Sequence, residues 1–460
     1  MSKKNIIILS SVVVIVALIF TGVYYYQATH FNRNITINNT NVGGLTADQA
    51  LNKLKTTVSK NVVYIGDKQI YDGKDTKMGF TTQDLSEVKN ILKEQRTFLP
   101  TSKAKNYELS PSKTDQKQSQ TIKKKVEEKL KSMNKDLKAP KDAEARLEEG
   151  KIVVSKSVNG EQYDIARLLK DFQKQAHNSE IHLNPIYKQP VKANSQIIKQ
   201  EKKILKELVN WTVDYKLQNQ PYSFKGSEVI KNVSISKDMK YKIDTNDIKK
   251  KLDNLNRSKS TLNKNYTFKT HSGKVISVKG GSYGWAIDLD AETKRIEQAF
   301  EKGNKSILAY NIYGVGWNTN GIGYHTTSNN GIGDTYAEVS IKDQRIWIYK
   351  NGKLQVTTHV VTGTHVYNED TPKGVWYIEY KDSPSTLTGS EVGNPNYSVK
   401  VDYWAPFTTS GCGFHDAKWR KNWSNTAYIK NGSGGCVNTP PNVMKKVYDN
   451  LEQNEPVVIY

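Results

Sequence analysis

The sequence runs to 460 residues, more than one hydrophobic core usually organises, so about two to four domains are expected. With only 2 cysteines it is no small disulfide-dependent scaffold. Its 68 Lys+Arg against 46 Asp+Glu give a formal charge of +22, which suits a polyanionic neighbourhood: nucleic acid, an acidic membrane surface or an anionic cell-wall polymer.

The start of the chain narrows these choices. After Lys3 and Lys4, the run from Ile6 to Tyr26 carries no charge and is about as long as a bilayer-spanning helix. It exceeds a signal-peptide apolar region, no small-x-small cleavage site follows, and Tyr24, Tyr25 and Tyr26 suit an interfacial aromatic belt. The expectation is an uncleaved signal anchor: a cytoplasmic tail at 1–5, a transmembrane segment at 6–26, and residues 27–460 outside the cell membrane, facing the wall. Lys53, Lys55 and many later lysines follow the span, so the positive-inside count alone does not orient it, and a cytosolic protein tethered by its N terminus is the competing reading. Outside the membrane, wall polymers rather than nucleic acid are the expected partners. Lysines in "KTDQKQSQTIKKKVEEKLKSMNK" alternate with Glu and Gln on a helical pattern and read as a solvated face.

"NVGGLTADQALNKLK", from Asn41, reads as a turn and a helix capped by Thr46. Two later segments resemble one another: "GKIVVSKSVNGEQYDIARLLKDFQK" from Gly150 and "GKVISVKGGSYGWAIDLDAETKRIEQAFEK" from Gly273. Each reads as strand, turn and helix, with Asp164 and Asp288 at the helix N termini. Ile165, Leu168, Leu169 and Phe172 share one helical face, as do Leu289, Ile296 and Phe300. His177, His182 and His271 stand alone, and no zinc, calcium or phosphate-loop pattern is visible, so no metal or cofactor is expected. "VGGLTADQA" resembles the peptidoglycan-binding domains that precede certain wall-modifying catalytic domains. Two such domains, 27–205 and 206–325, would form a stalk and wall-facing adaptor; an inert spacer is the alternative. "NTNGIGYHTTSNNGIGDTY" is rich in Gly, Asn, Ser and Thr, and 326–334 is expected to be a flexible link.

Residues 335–460 change to alternating strands, with "KDQR" and "KNGK" as turns between runs of Val, Ile, Trp and Tyr, so a mainly-β domain is expected. Near its end, "NGSGGCVNTPP" holds Cys436, with Thr439 as a helix cap, Pro440 and Pro441 at the first helical positions, and Val443, Val447 and Leu451 along one face. A thiol just ahead of a helix N terminus would have a lowered pKa. The flanking glycines would let a substrate approach, and the amides of Gly435 and Cys436 could face a developing oxyanion. The histidine available as base is His415, 21 positions earlier. Cysteine plus a distant histidine is by itself a weak signal.

These residues resemble the L,D-transpeptidases with a YkuD-type catalytic domain, whose signature is His, about fourteen to seventeen residues, then Ser/Thr-His-Gly-Cys-x-Asn. Here His415 is followed by seventeen residues and then Ser433-Gly434-Gly435-Cys436-Val437-Asn438. "QRIWIYKNGK", "VVTG" and "TPKG" look like that domain's opening strands, and anchor, wall-binding domains and catalytic domain together are similar to Gram-positive members. The fold so implied is multidomain: an N-terminal transmembrane helix, two α+β wall-binding-like domains and a C-terminal mainly-β L,D-transpeptidase domain. The resemblance implies Cys436 as nucleophile, His415 as base and Ser433 as a holder of the imidazole. It further implies a thioester formed from a stem tetrapeptide with release of D-Ala, 3→3 cross-linking of peptidoglycan, and acylation by carbapenem-type β-lactams. Gly434, Asn438, Tyr403, Trp404 and Trp419 are candidate substrate contacts, the aromatics reading equally well as core. Gly434 departs from the family's usual His. It keeps open a weakly active or inactive wall-binding protein, and water in place of an amine would make a carboxypeptidase. Cys412, 24 positions before Cys436, admits a structural or reversible disulfide, or a small buried thiol.

Overall fold

The computed structural model describes residues 3–113, 116–178 and 180–460. The first two residues of the expected tail, and 114–115 within the lysine-rich run, lie outside them. Lys3–Thr29 is one unbroken helix, and Ile7–Thr29, 23 residues, is long and apolar enough to cross a membrane. Its hydroxyls return to the helix's own carbonyls: Ser10 and Ser11 donate to Ile7 O at 2.9 Å and Thr21 to Ala17 O at 2.7 Å. The hydroxyls of Ser10, Ser11 and Thr21 therefore do not demand water.

The chain forms two compact units, 1–144 with 154–199, and 145–153 with 200–460. In the first, Thr46 makes a capping box with Gln49 at the start of the helix Ala47–Thr56. Val62–Ile65 pairs antiparallel with Lys68–Asp72 and parallel with Glu180–Leu183. The second unit repeats that order: Thr212–Leu217 pairs antiparallel with Gln220–Lys225 and parallel with Ser306–Leu308. A parallel partner requires a crossover. In each case the crossover ends in an Asp-capped helix, Asp164 before Ile165–Lys174 and Asp288 before Leu289–Glu301. The internal resemblance in the sequence is thus a repeat of topology.

Within the second unit, the C-terminal strands are β1 (Tyr336–Ser340), β2 (Arg345–Lys350), β3 (Lys353–His359), β4 (Gly374–Tyr377), β5 (Ser385–Glu391), β6 (Asn394–Val401), β7 (Trp404–Pro406), β8 (Gly413–Asp416), β9 (Val437–Thr439) and β10 (Pro456–Ile459). Helices α1 (Ala427–Asn431) and α2 (Pro441–Asp449) flank β9. One sheet runs β3-β2-β1-β10-β4; β7-β8-β9 form a second, and β5-β6 a separate hairpin. Asn351 and Gly352, at φ 49° and 73°, make the tight turn that "KNGK" signals. Ile346 and Ile348 of the first sheet share a core with Phe414 and Val437 of the second and Met444 and Val447 of α2. That core fixes the strands that carry the cysteine and histidine.

Two expectations change. The stretch 326–334 is held in place rather than loose: Ile332 is buried with Tyr266, Tyr283 and Val458, and Tyr283 OH donates to Gly331 O at 2.8 Å. Its Asn and Gly residues serve left-handed backbone at Asn329, Asn330, Gly331 and Gly333. Thr439 is not a helix cap. It ends β9, while Pro440 takes the cap position and Pro441 opens α2.

Candidate active site

Parallel pairing of β8 with β9 sets Phe414 opposite Val437, His415 opposite Asn438 and Asp416 opposite Thr439. Strand alternation sends Phe414 and Val437 into the core, leaving His415 and Asn438 on the other face. Cys436, one residue before Val437, falls on that same face. Asp416 tightens the arrangement from within: its Oδ1 accepts from the amides of Asp402 and Tyr403 at 2.8 and 3.0 Å, locking β7 against β8.

His415 is buried, and both ring nitrogens are occupied. Nδ1 donates to Asp416 O at 2.9 Å, which leaves Nε2 as the acceptor. With the Asn438 amide oriented to satisfy both its ends, Nδ2 donates to His415 Nε2 at 3.0 Å and Oδ1 accepts from Arg420 Nη2 and Nε at 2.9 and 3.0 Å. Arg420 also donates to Asn431 O and Gly432 O, at 2.6 and 2.7 Å. Burial holds the imidazole below its ordinary pKa, against the pull of Asp416.

The Cys436 thiol donates to Gly411 O at 3.5 Å, and no hydrogen bond joins it to His415 among the described residues. Burial pushes it up to about 12, the adjacent Cys412 thiol adding to the rise and the Gly413 amide opposing it. The lowered pKa expected from a helix N terminus is therefore overturned. The reason is β9: three strand residues place the start of α2 about 10 Å further on, beyond the reach of an end effect confined to one turn.

The loop before the thiol is built differently from its sequence reading. Ser433 Oγ donates to Cys436 O at 2.6 Å and accepts from Gly435 N at 3.2 Å, so it shapes the loop and does not touch the imidazole. The Gly435 amide, expected to face an oxyanion, is spent on that bond. The Cys436 amide has no acceptor among the described residues. Thr371 Oγ1 donates to Gly435 O at 2.8 Å, and Thr364 N to Ser433 O at 2.9 Å, pinning the loop from outside. Cys412 and Cys436 stand side by side as free thiols; Cys412 is partly buried and burial raises its pKa.

The aromatic candidates divide. Trp419 is 49% exposed and stacks on His415, ring centroids 5.7 Å apart. Trp404 is buried, with its centroid 6.0 Å from that of His415. Tyr403 packs on Tyr448 of α2 and belongs to the core side. Sequence reading missed Arg420, and also Glu391 and Tyr397 of the β5–β6 hairpin. Burial pushes both hairpin groups up; Glu369 adds to the rise at Glu391, while Cys436 and Glu391 add to it at Tyr397. Nothing in the local sequence around these three marks them. Among the described residues there is no cluster of metal-ligating side chains.

The domain itself is one already known. Residues 334–459 match the family described as the L,D-transpeptidase catalytic domain, and residues 198–308 match one described as "Putative peptidoglycan binding domain". The chain is 37% identical to the catalytic domain of the Enterococcus faecium L,D-transpeptidase, covering 97% of that structure and 28% of itself, TM-score 0.26. The chain belongs to the L,D-transpeptidase family. A cysteine-to-serine variant of the E. faecium enzyme is 26% identical over 57% of this chain and 100% of its own, TM-score 0.46. A transpeptidase structure described as an avibactam carbamoyl enzyme is 27% identical over 57% of this chain and 98% of its own, TM-score 0.47. The assignment rests on the family matches and the identity, not on the superpositions. No curated protein matches the chain. This L,D-transpeptidase is multidomain, with an N-terminal apolar helix, middle domains and a C-terminal mainly-β catalytic domain.

Proposed function

We propose that Cys436 is the nucleophile and His415 the base of a transpeptidation that joins peptidoglycan stems by 3→3 links. One observation carries the assignment: β8 and β9 present His415, Asn438 and Cys436 on one face, opposite the core. Turned from Asn438 towards the thiol, His415 Nε2 takes the thiol proton as Sγ attacks the carbonyl of the third residue of a stem tetrapeptide. The Cys436 amide, without an acceptor among the described residues, donates to the developing oxyanion in this reading. The bond to terminal D-Ala breaks, its amine leaves with the proton held by His415, and a thioester remains on Cys436. An acceptor amine then attacks, losing its proton to His415, and Sγ leaves. Water attacking instead makes a carboxypeptidase. Loose contacts of this kind are common before substrate binds.

In this reading Ser433 holds the loop, Asn438 and Arg420 hold the imidazole, and Trp404, Trp419 and Gly434 border the stem peptide. The same E. faecium catalytic domain, 37% identical to this chain, also has a structure described as acylated by ertapenem, which supports covalent reaction of Cys436 with carbapenems. The Lys3–Thr29 helix serves as a single-pass membrane anchor, with residues 27–205 and 206–325 as peptidoglycan-binding domains outside the cell and 335–460 as the catalytic domain. The repeated topology supports assigning the N-terminal domain to the same class as the matched one.

A second reading, an inactive wall-binding protein, is favoured by the engaged Nε2 and the raised thiol. Intact-mass measurement of the detergent-solubilised protein and its Cys436→Ala variant decides. A cross-linked dimer from a disaccharide-tetrapeptide and a carbapenem adduct, both lost in Cys436→Ala, establish the transpeptidase. Neither product from folded, reduced protein establishes the binder.

A further inference from the structure

The loop before Cys436 leaves a space that a different element fills. Gly434, two positions ahead of the thiol, has no side chain, and a Cβ built there would lie 3.1 Å from Glu391 Cβ and 3.4 Å from Glu391 Oε2. Glu391 ends β5 and pairs with Asn394 across the tip of the β5–β6 hairpin. The tip is tied to the neighbouring loop, where Val392 N donates to Glu369 Oε1 at 2.7 Å. Glu391 therefore stands against the nucleophile loop by construction of the hairpin.

Its carboxylate has the Gly434 backbone amide as a hydrogen-bond partner but no cation of its own. It is half-buried, and among the described residues it makes no ion pair. Arg420 is near enough to act on it electrostatically, yet most of the Arg420 donors are committed to Asn431 O, Gly432 O and Asn438 Oδ1. Glu369 brings a second negative charge to the same edge. On a protein of net charge +22, this corner of the cleft is locally anionic. A partly desolvated carboxylate held by one backbone amide and no counter-cation still gains from a hydrogen-bonding cation.

We propose that Glu391 is a specificity residue of the cleft, receiving a primary ammonium group of the stem peptide beside Cys436. The inference rests on the transpeptidase reading above. Glu391 makes and breaks no covalent bond; it exchanges water for an N⁺–H donor. The ammonium has two chemical sources, the side chain of the donor's own third residue or the acceptor amine.

The test uses the full-length protein in detergent, with Glu391→Gln and Glu391→Lys, each checked for a native thermal transition. Donor tetrapeptides with a free or an N-acetylated side-chain amine are compared by the rate of acyl-enzyme formation. Amine acceptors are compared with water by the products from preformed acyl-enzyme. Wild type is expected to prefer the free-amine donor, or to favour aminolysis over hydrolysis. That preference should fall about tenfold in Glu391→Gln and further in Glu391→Lys. Loss in the first arm assigns the donor's ammonium, and loss in the second the acceptor's. Both preferences undiminished in Glu391→Lys overturn the proposal while leaving the transpeptidase reading standing. A wild type that forms no acyl-enzyme with any donor or β-lactam overturns both.

Discussion

Asn438 Nδ2 donates to His415 Nε2 at 3.0 Å, so the nitrogen that would take the Cys436 proton already has a partner. A donor on Nε2 stabilises the neutral ring, as burial does, and both act to keep His415 below the ordinary imidazole value. In Asn438→Ala the lone pair is released and the ring loses its orientation. The imidazole pKa should rise, so the acid limb of the acylation rate, which needs a neutral base, moves to higher pH. The plateau should drop about 10- to 100-fold from misplacement of the ring. Carbapenem acylation followed from pH 5 to 9 checks both; a limb moving to lower pH contradicts the assignment.

The free thiol should be a poor nucleophile before substrate binds. With the Cys436 pKa pushed up to about 12, thiolate at pH 7 is on the order of one part in 10⁵. Alkylation of Cys436 by iodoacetamide, read by intact mass in a Cys412→Ala background, should climb about tenfold per pH unit from 7 to 10 without levelling. A plateau near pH 7 would mean that a thiolate–imidazolium pair forms in the free enzyme.

Gly435 lies at φ 117°, and a Cβ there would meet Cys412 Sγ at 2.9 Å. Gly435→Ala combines backbone strain with that clash, and the loop holding Cys436 should shift. Strain of about 1–3 kcal/mol predicts roughly a tenfold or greater loss in acylation rate. Cys412→Ala removes the clash but not the strain, so the double variant should recover part of the loss. Full recovery would show that only the thiol contact matters; none would show that backbone conformation dominates.

What the sequence made legible were the features encoded locally. The charge-free run became the helix Lys3–Thr29, Asn351-Gly352 became a tight hairpin, and Asp164 and Asp288 capped helices in two copies of one topology. The cysteine motif was legible as a family signature, but its surroundings misled. Thr-Pro-Pro after Cys436 carries the chemistry of a helix start, yet Val437–Thr439 is drawn into a strand because β8 offers a parallel partner and Val437 a place in the core. Propensity yielded to tertiary pairing. Arg420 and Glu391 were illegible for the complementary reason. Their meaning lies in contacts with Asn438 and Gly434, which only the folded sheet and hairpin bring near.

Phe414 and Trp419 pack on opposite sides of the site, and their removal should separate stability from chemistry. Phe414 is fully buried under β8 and meets Phe407 edge-on with centroids 5.3 Å apart, so Phe414→Ala should cost about 3–5 kcal/mol of unfolding free energy. Trp419 buries only half its surface and covers His415 from solvent. Trp419→Ala should cost about 1 kcal/mol or less, because little apolar area leaves the core. It admits water to the imidazole, and relief of burial raises the His415 pKa towards its ordinary value, shifting the acid limb of acylation upward in pH. Denaturant unfolding and pH–rate profiles of both variants check the pair. If Trp419→Ala unfolds as readily as Phe414→Ala, the ring is a core residue and not a wall of the cleft.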